Sequence, residues 1–227
     1  MKIDRHGQAK ILSQEEIQLL FSHGLHNGRD RALFGICLYT ACRIREACTL
    51  RTADVYNQKG VVRAELIIRK ENTKGKLATR SVPVIEELRS LLMDYYPSPR
   101  TWFLFPGRHG RGHINPDSAA RILREACASV EVEGVSTHSF RRTALTQMSN
   151  AGIPLRIIQE VSGHRNLSEL QKYLEVKPEQ VRGAVSSLSM LSHIGISRYH
   201  DLESHPHSTS FSPTEPTELP DHPTTDD

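Results

Sequence analysis

Between residues 138 and 173 the chain carries a group of side chains suited to phosphate chemistry. His138 and Arg141 stand three apart, Gly163-His164 follows, and Tyr173 lies nine residues beyond that histidine. Guanidinium groups present a planar fork to phosphate oxygens, which an ammonium group does not. A phenol titrates near pH ~10, so neighbouring cations are what would make it a nucleophile at neutral pH. Three or more such groups ahead of one tyrosine therefore suggest a phosphodiester site with the phenol as attacking group. Each residue taken singly is as well explained by ordinary packing or surface placement. Their joint order and spacing is the informative feature.

Elements must position these groups. His138 and Arg141, at i and i+3, are neighbours on a helix over 138–150. Phe140, Ala144 and Met148 form the core-facing stripe of that helix, with the Arg141 stem packing beside it and its fork pointing outward. A second helix over 154–161, with Pro154 in its first turn, ends at Gly163 as a helix-terminating glycine. Tyr173 falls on or just after a short element beginning near Leu167. Upstream, Ser13-Gln-Glu-Glu16 is a capping box that opens a helix running to about Phe21. Asp30 is placed to cap the next helix, whose Leu33, Ile36 and Cys37 fit a 3.6-residue period, and a further helix covers 44–50. The period then changes. Residues 61–68 and 79–84 read as two strands around a turn at 72–75, with Pro83 at a strand end. Helices are expected over 86–95, 116–130 and 178–191. The fold class is thus mainly α with a small antiparallel β-sheet (α+β).

Composition sets limits on partners and compartment. Residues 204–227 hold five acids and no Lys or Arg, so residues 1–203 carry 29 − 21 = +8 of the chain's net +3. A basic body suits a polyanion. There is no apolar run near the ~18 residues of a membrane span and no signal-peptide core in the first residues, which points to a cytoplasmic protein. Cys37, Cys42, Cys48 and Cys127 form no C-x-x-C pair and read as buried free thiols. His109 and His113 have i, i+4 spacing but sit in a Gly-rich loop without an acidic third ligand, so no metal is expected. The same loop offers Arg108 and Arg111 as phosphate contacts. The Pro/Ser/Thr-rich segment from about residue 204 reads as disordered.

The order H-x-x-R, G-H, Y resembles the C-terminal signature of tyrosine recombinases, the phage integrase family. Thr40-Ala-Cys-Arg43-Ile-Arg-Glu46 resembles that family's first-arginine motif, and a hairpin with Lys74 in its turn followed by Arg80-Ser-Val-Pro83 resembles its lysine-bearing hairpin. The likeness spans roughly residues 12–190 and implies a tyrosine-recombinase catalytic domain fold over 13–191, a basic arm over 1–12 and a C-terminal tail over 192–227. By resemblance, Tyr173 is the nucleophile that forms a 3′-phosphotyrosine. Arg43 and Arg141 clamp the phosphate, Lys74 protonates the leaving oxygen, His138 assists proton transfer and His164 hydrogen-bonds the phosphate. Arg45, Arg108, Arg111, Arg142 and Arg165 are the expected DNA contacts. The implied activity is site-specific DNA recombination (integration, excision or inversion) without cofactor or metal. Double-stranded DNA would be held by a homotetramer, with an accessory DNA-bending or directionality factor as a further partner. A type IB topoisomerase-like relaxing enzyme and a non-catalytic DNA-binding relic are the alternatives. The chain departs from the family pattern at Ala41 and Ser162, where Gly and Leu are usual, and at Arg45, where Ser is usual. It also has only a short segment ahead of the catalytic domain, where most members carry a helical DNA-clamping domain.

Overall fold

The computed structural model describes residues 9–73, 78–97, 101–174, 176 and 178–191. Lys74, the tail from 192 and residues 1–8 lie outside the described residues.

The Ser13 capping box forms as its sequence requires. The Ser13 hydroxyl accepts the Glu16 N–H and the Glu16 carboxylate accepts the Ser13 N–H. Helix α1 (Gln14–Leu19) continues into a π-turn at Leu20–Gly24. Helix α2 (Gly28–Tyr39) begins earlier than Asp30, because Asn27 is the cap. The Asn27 side-chain oxygen accepts the Asp30 N–H at 2.9 Å, and the Asn27 amide donates back to Asp30 Oδ2 at 2.7 Å. Asp30 therefore sits one turn inside the helix, closing the cap from the other side. Every residue from Ala32 to Leu38 is buried, as expected of a helix surrounded by others. It packs on α3 (Ile44–Cys48), α5 (Glu86–Asp94) and α7 (Thr137–Asn150). Phe34 stacks on Phe140 of α7 with ring centroids 5.4 Å apart, and Phe21 meets the same ring edge-on at 6.2 Å.

The short α4 (Thr52–Val55) leads to the sheet. Strands β1 (Glu65–Ile68) and β2 (Arg80–Pro83) pair antiparallel, with Glu65 opposite Pro83 and Ile68 opposite Arg80. The sheet is shorter than the apolar run suggests. Val62 bridges Tyr56, and the Arg63 N–H is taken by the Val55 carbonyl, so residues 61–63 belong to the α4 turn. Leu66, Ile68 and Val82 fill the core from one face of the hairpin. Two strands alone are marginal in water, and the helix layer supplies the missing support. The hairpin is also tied by Asp54, fully buried. It accepts the Arg51 N–H at 3.0 Å and pairs with Arg69 at 2.7 Å.

Helices α6 (Pro116–Ser129), α8 (Leu155–Ser162) and α9 (Leu167–Gln171) complete this unit. Pro154 is the N-cap of α8, one position ahead of the first turn, with its carbonyl accepting the first helical N–H groups. A smaller apolar cluster joins Ala41, Leu145, Ile158 and Leu170, with Met148, Leu155 and Tyr173 against it. The chain divides after Val176 into a second unit, which contains α10 (Pro178–Ser186) and a 3-10 turn to Leu191. Val181, Val185, Leu188, Met190 and Leu191 are exposed there. All four cysteines are buried and unpaired. Burial pushes the Cys48 thiol up to about 12 and Cys127 to about 11, so both stay protonated and inert. Among the described residues no helix is long and apolar enough to cross a membrane.

Candidate active site

The first arginine is aimed by a sharp break after α2. Thr40 ends the helix, its hydroxyl donating to the Ile36 carbonyl at 2.7 Å. Ala41 then turns left-handed at φ 50°, a conformation an alanine adopts at a cost of about 1–2 kcal/mol. Arg43 follows in extended geometry as the N-cap of α3. Its N–H donates to Glu46 Oε2 at 2.9 Å and its Nη1 donates to Glu46 Oε1 at 3.2 Å. Glu46 is 1% exposed and also pairs with Arg80 at 2.9 Å. Burial alone would raise the Glu46 pKa. The Arg80 charge and its hydrogen bond outweigh burial and hold the carboxyl below its usual value.

Arg141, on the middle of α7, is brought to the same place from the other half of the chain. Its fork does not reach outward. It is 1% exposed, with Nη1 donating to the Ala41 carbonyl and Nη2 lying 3.0 Å from His164 Nε2. The left-handed turn at Ala41 is what presents that carbonyl, and so joins the two motifs. Burial, then repulsion from Arg43, pushes Arg141 down to about 10, which leaves it cationic at neutral pH. Its buried Nε has no acceptor among the described residues. Among the described residues Arg141 has no carboxylate in contact, and beside a second guanidinium it is suited to an anion.

His164 is placed by Gly163, which ends α8 at φ 64°, and by Gln159, whose side-chain amide donates to the His164 carbonyl at 3.0 Å. The imidazole is 5% exposed, and burial followed by Arg141, Arg43 and Arg80 pushes its pKa down to about 3. It is neutral at pH 7. Since arginine can only donate, the neutral ring offers Arg141 Nη2 an acceptor nitrogen, with Nε2 the nearer at 3.0 Å. The same Nη2 is 3.3 Å from Nδ1, and the Ser162 hydroxyl stands 2.8 Å from Nδ1 while donating to the Gln159 carbonyl at 3.3 Å. Ser162, the residue that departs from the family pattern, thus holds the ring through Nδ1. Tyr173 follows α9, its N–H donating to the Leu170 carbonyl at 2.9 Å. Its ring lies 5.2 Å from the His164 ring, centroid to centroid, tilted by 47°. His138 is exposed at the start of α7. Partial burial, then Arg141 and Arg43, lower its pKa, which favours the neutral base.

Arg45, Arg108, Arg111 and Arg165 are exposed. Arg142 is not. It is 4% exposed and its Nη1 donates to the Ala9 carbonyl at 2.5 Å, so it anchors the N-terminal arm and presents no surface charge. The sequence places it one residue after Arg141, and a helix turn of 100° carries it to a different face. Sequence reasoning misses Glu46, Arg80, Gln159 and Ser162 as site residues. Glu46 is visible as an acid three residues after Arg43, the spacing of a reciprocal cap. Arg80 gives no such signal, because its partners lie 34 and 81 positions away. Among the described residues no group of His, Cys, Asp and Glu is placed to hold a metal ion.

A helical domain with a small antiparallel hairpin, in which two arginines and a histidine converge beside a tyrosine, has the architecture of tyrosine-recombinase catalytic domains. The phage integrase family model matches residues 10–180, about three-quarters of the chain, and the chain belongs to that family. It is 28% identical over 163 residues to a tyrosine recombinase of Thermosipho africanus, covering 70% of this chain and 54% of the relative. It is 27% identical over 188 residues to the tyrosine recombinase XerA of Pyrococcus furiosus, covering 82% and 64%. The crystal structure of a XerA recombinase shares the fold with a TM-score of 0.65 at 22% identity, covering 78% of this chain and 64% of that one. The chain therefore spans between about half and two-thirds of the length of these relatives.

Proposed function

We propose that this chain is the catalytic domain of a site-specific DNA recombinase that cuts and rejoins strands through a 3′-phosphotyrosine. The observation that carries this reading is the meeting of Arg43, Arg141, His164 and Tyr173. They come from segments about a hundred residues apart, with Arg141 bridging the Ala41 carbonyl and His164.

In the proposed reaction the Tyr173 oxygen attacks the scissile phosphorus, and the bond from phosphorus to the 5′-oxygen breaks. Arg43 and Arg141 bind the non-bridging oxygens, where negative charge grows. Preorganised donors in a water-poor site typically contribute several kcal/mol, and removing one costs ~10²–10³ in rate. Neutral His138 takes the phenol proton, and Lys74 gives a proton to the departing 5′-oxygen. His164, held by Ser162 and in contact with Arg141, hydrogen-bonds the phosphate. The phosphotyrosine retains the diester bond energy, so the 5′-hydroxyl religates by reversal without ATP. The exposed Arg45, Arg108, Arg111 and Arg165 would follow the DNA backbone, a contact that weakens with salt. Assembly as a homotetramer on two duplexes, with the apolar face of α10 docking on a neighbour, belongs to the same proposal, as do an accessory DNA-bending or directionality factor and a cytoplasmic site of action.

The test is to incubate the protein with a pool of nicked duplexes randomised around the nick and to separate products on a denaturing gel. An SDS-stable adduct that disappears in Tyr173→Phe is expected. An adduct unchanged in that variant would overturn the reading.

A further inference from the structure

We propose that Arg80 is a positioning residue that neutralises Glu46, leaving the Arg43 fork available to a phosphate, and that braces the Gly163-His164 turn. The inference rests on the functional reading above and adds to it a residue outside the phosphate-contacting set.

Two nitrogens of the Arg80 guanidinium are hydrogen-bonded and the third packs on a glycine. Nη2 donates to Glu46 Oε2 at 2.9 Å, and Nε donates to the Val161 carbonyl at 3.2 Å, at the end of α8. Nη1 lies over Gly163, where a Cβ would come within 2.6 Å of it. One planar group thus joins β2, α3 and the last turn of α8. Lysine, with one small ammonium, has no means of reproducing the three directions.

The consequence is electrostatic. Around Arg141 stand the cations Arg43 and Arg80 and the anion Glu46, which with Arg141 itself make a balance of +2. A buried carboxylate must be paired. Glu46 lies nearer to Arg80 than to Arg43, 2.9 against 3.2 Å, so Arg80 supplies most of that pairing and Arg43 lends a single side-chain nitrogen. Without Arg80, Arg43 becomes the natural counter-ion of Glu46, turns its fork inward, and the balance falls to +1. Arg80 also joins Arg141 and Arg43 in holding His164 neutral, the state in which His164 accepts from Arg141.

This predicts a rescue that a purely structural role does not. Arg80→Gln should weaken binding of inorganic phosphate, followed through the His164 ring resonances, and slow adduct formation, each by roughly tenfold or more, as expected for one charge lost beside the site. Adding Glu46→Gln restores the +2 balance, and the new amide oxygen can still accept the Arg43 N–H. The double variant should therefore regain most of both activities although it carries more lesions. Arg80→Lys should keep phosphate binding near the wild-type value while lowering the melting temperature, and it carries the test if Arg80→Gln does not fold. Equal phosphate binding by wild type and Arg80→Gln, or a folded double variant no better than Arg80→Gln, overturns the proposal, as does a wild type that binds no phosphate. A wild type that binds phosphate but yields no adduct defeats the functional reading and leaves the Arg80 assignment to the phosphate data.

Discussion

Gly163→Ala is the substitution whose cost follows most directly from the geometry. Gly163 has φ 64°, and a Cβ there would lie 2.6 Å from Arg80 Nη1 and 3.0 Å from its Cζ. The first feature alone costs an alanine about 1 kcal/mol net. The second forces the Arg80 fork aside, and that fork is held by the Val161 carbonyl and the buried Glu46. Disturbing a buried ion pair that keeps a second partner in Arg43 is expected to add about 1–2 kcal/mol, for a total near ~2–3 kcal/mol. Gly152 supplies the control. It has φ 74° but nothing within 4 Å of its Cβ position, so Gly152→Ala should cost only the backbone part, about 1 kcal/mol. Urea denaturation of both variants, and of Gly163→Ala in an Arg80→Gln background, measures the difference. The extra cost at Gly163 should largely vanish once Arg80 is gone, a coupling of about 1–2 kcal/mol. Equal destabilisation by Gly163→Ala and Gly152→Ala would refute the packing argument.

Ala41→Gly should leave stability within about 1 kcal/mol of the wild type, because relief at φ 50° is offset by the added entropy of the unfolded chain and the loss of a buried methyl; a loss of more than about 2 kcal/mol in urea would contradict this. The depressed His164 pKa, about 3, means that the unfolded chain binds more protons than the folded one below the ordinary histidine value. Stability should therefore fall as pH drops from about 6.5 towards 5, by up to ~1.4 kcal/mol per pH unit from this residue. His138, lowered in the same direction, adds to that slope, and Glu46 contributes only below the carboxylate range. His164→Gln should flatten the slope between pH 6.5 and 5, and an unchanged slope would show that the imidazole is not held neutral.

Local signals are legible where the chemistry is local. The Ser13 capping box, the helix-ending Gly163 and the order of helices and hairpin follow from neighbours a few residues apart, and the structure has them. Sequence pattern places the first cap of α2 three residues late, since Asn27 and Asp30 both have capping side chains and the pattern does not say which comes first. The expected outward fork of Arg141 fails for a physical reason. Helical periodicity shows that a residue borders the core stripe, but a carbonyl exposed by a strained turn a hundred positions upstream decides where its nitrogens go. Arg80 and Arg142 illustrate the same limit. From sequence one is part of a hairpin motif and the other a surface charge, and each finds its partners through the fold.

Everything proposed for the site turns on Tyr173 becoming covalently joined to DNA. The direct measurement is to digest a trapped adduct with nuclease and protease and to identify the modified peptide by mass spectrometry. A nucleotide 3′-phosphate on the Tyr173 side chain and a free 5′-hydroxyl on the released strand are expected. A nucleotide attached to any other residue, or a 5′-phosphate linkage, would contradict the proposed chemistry.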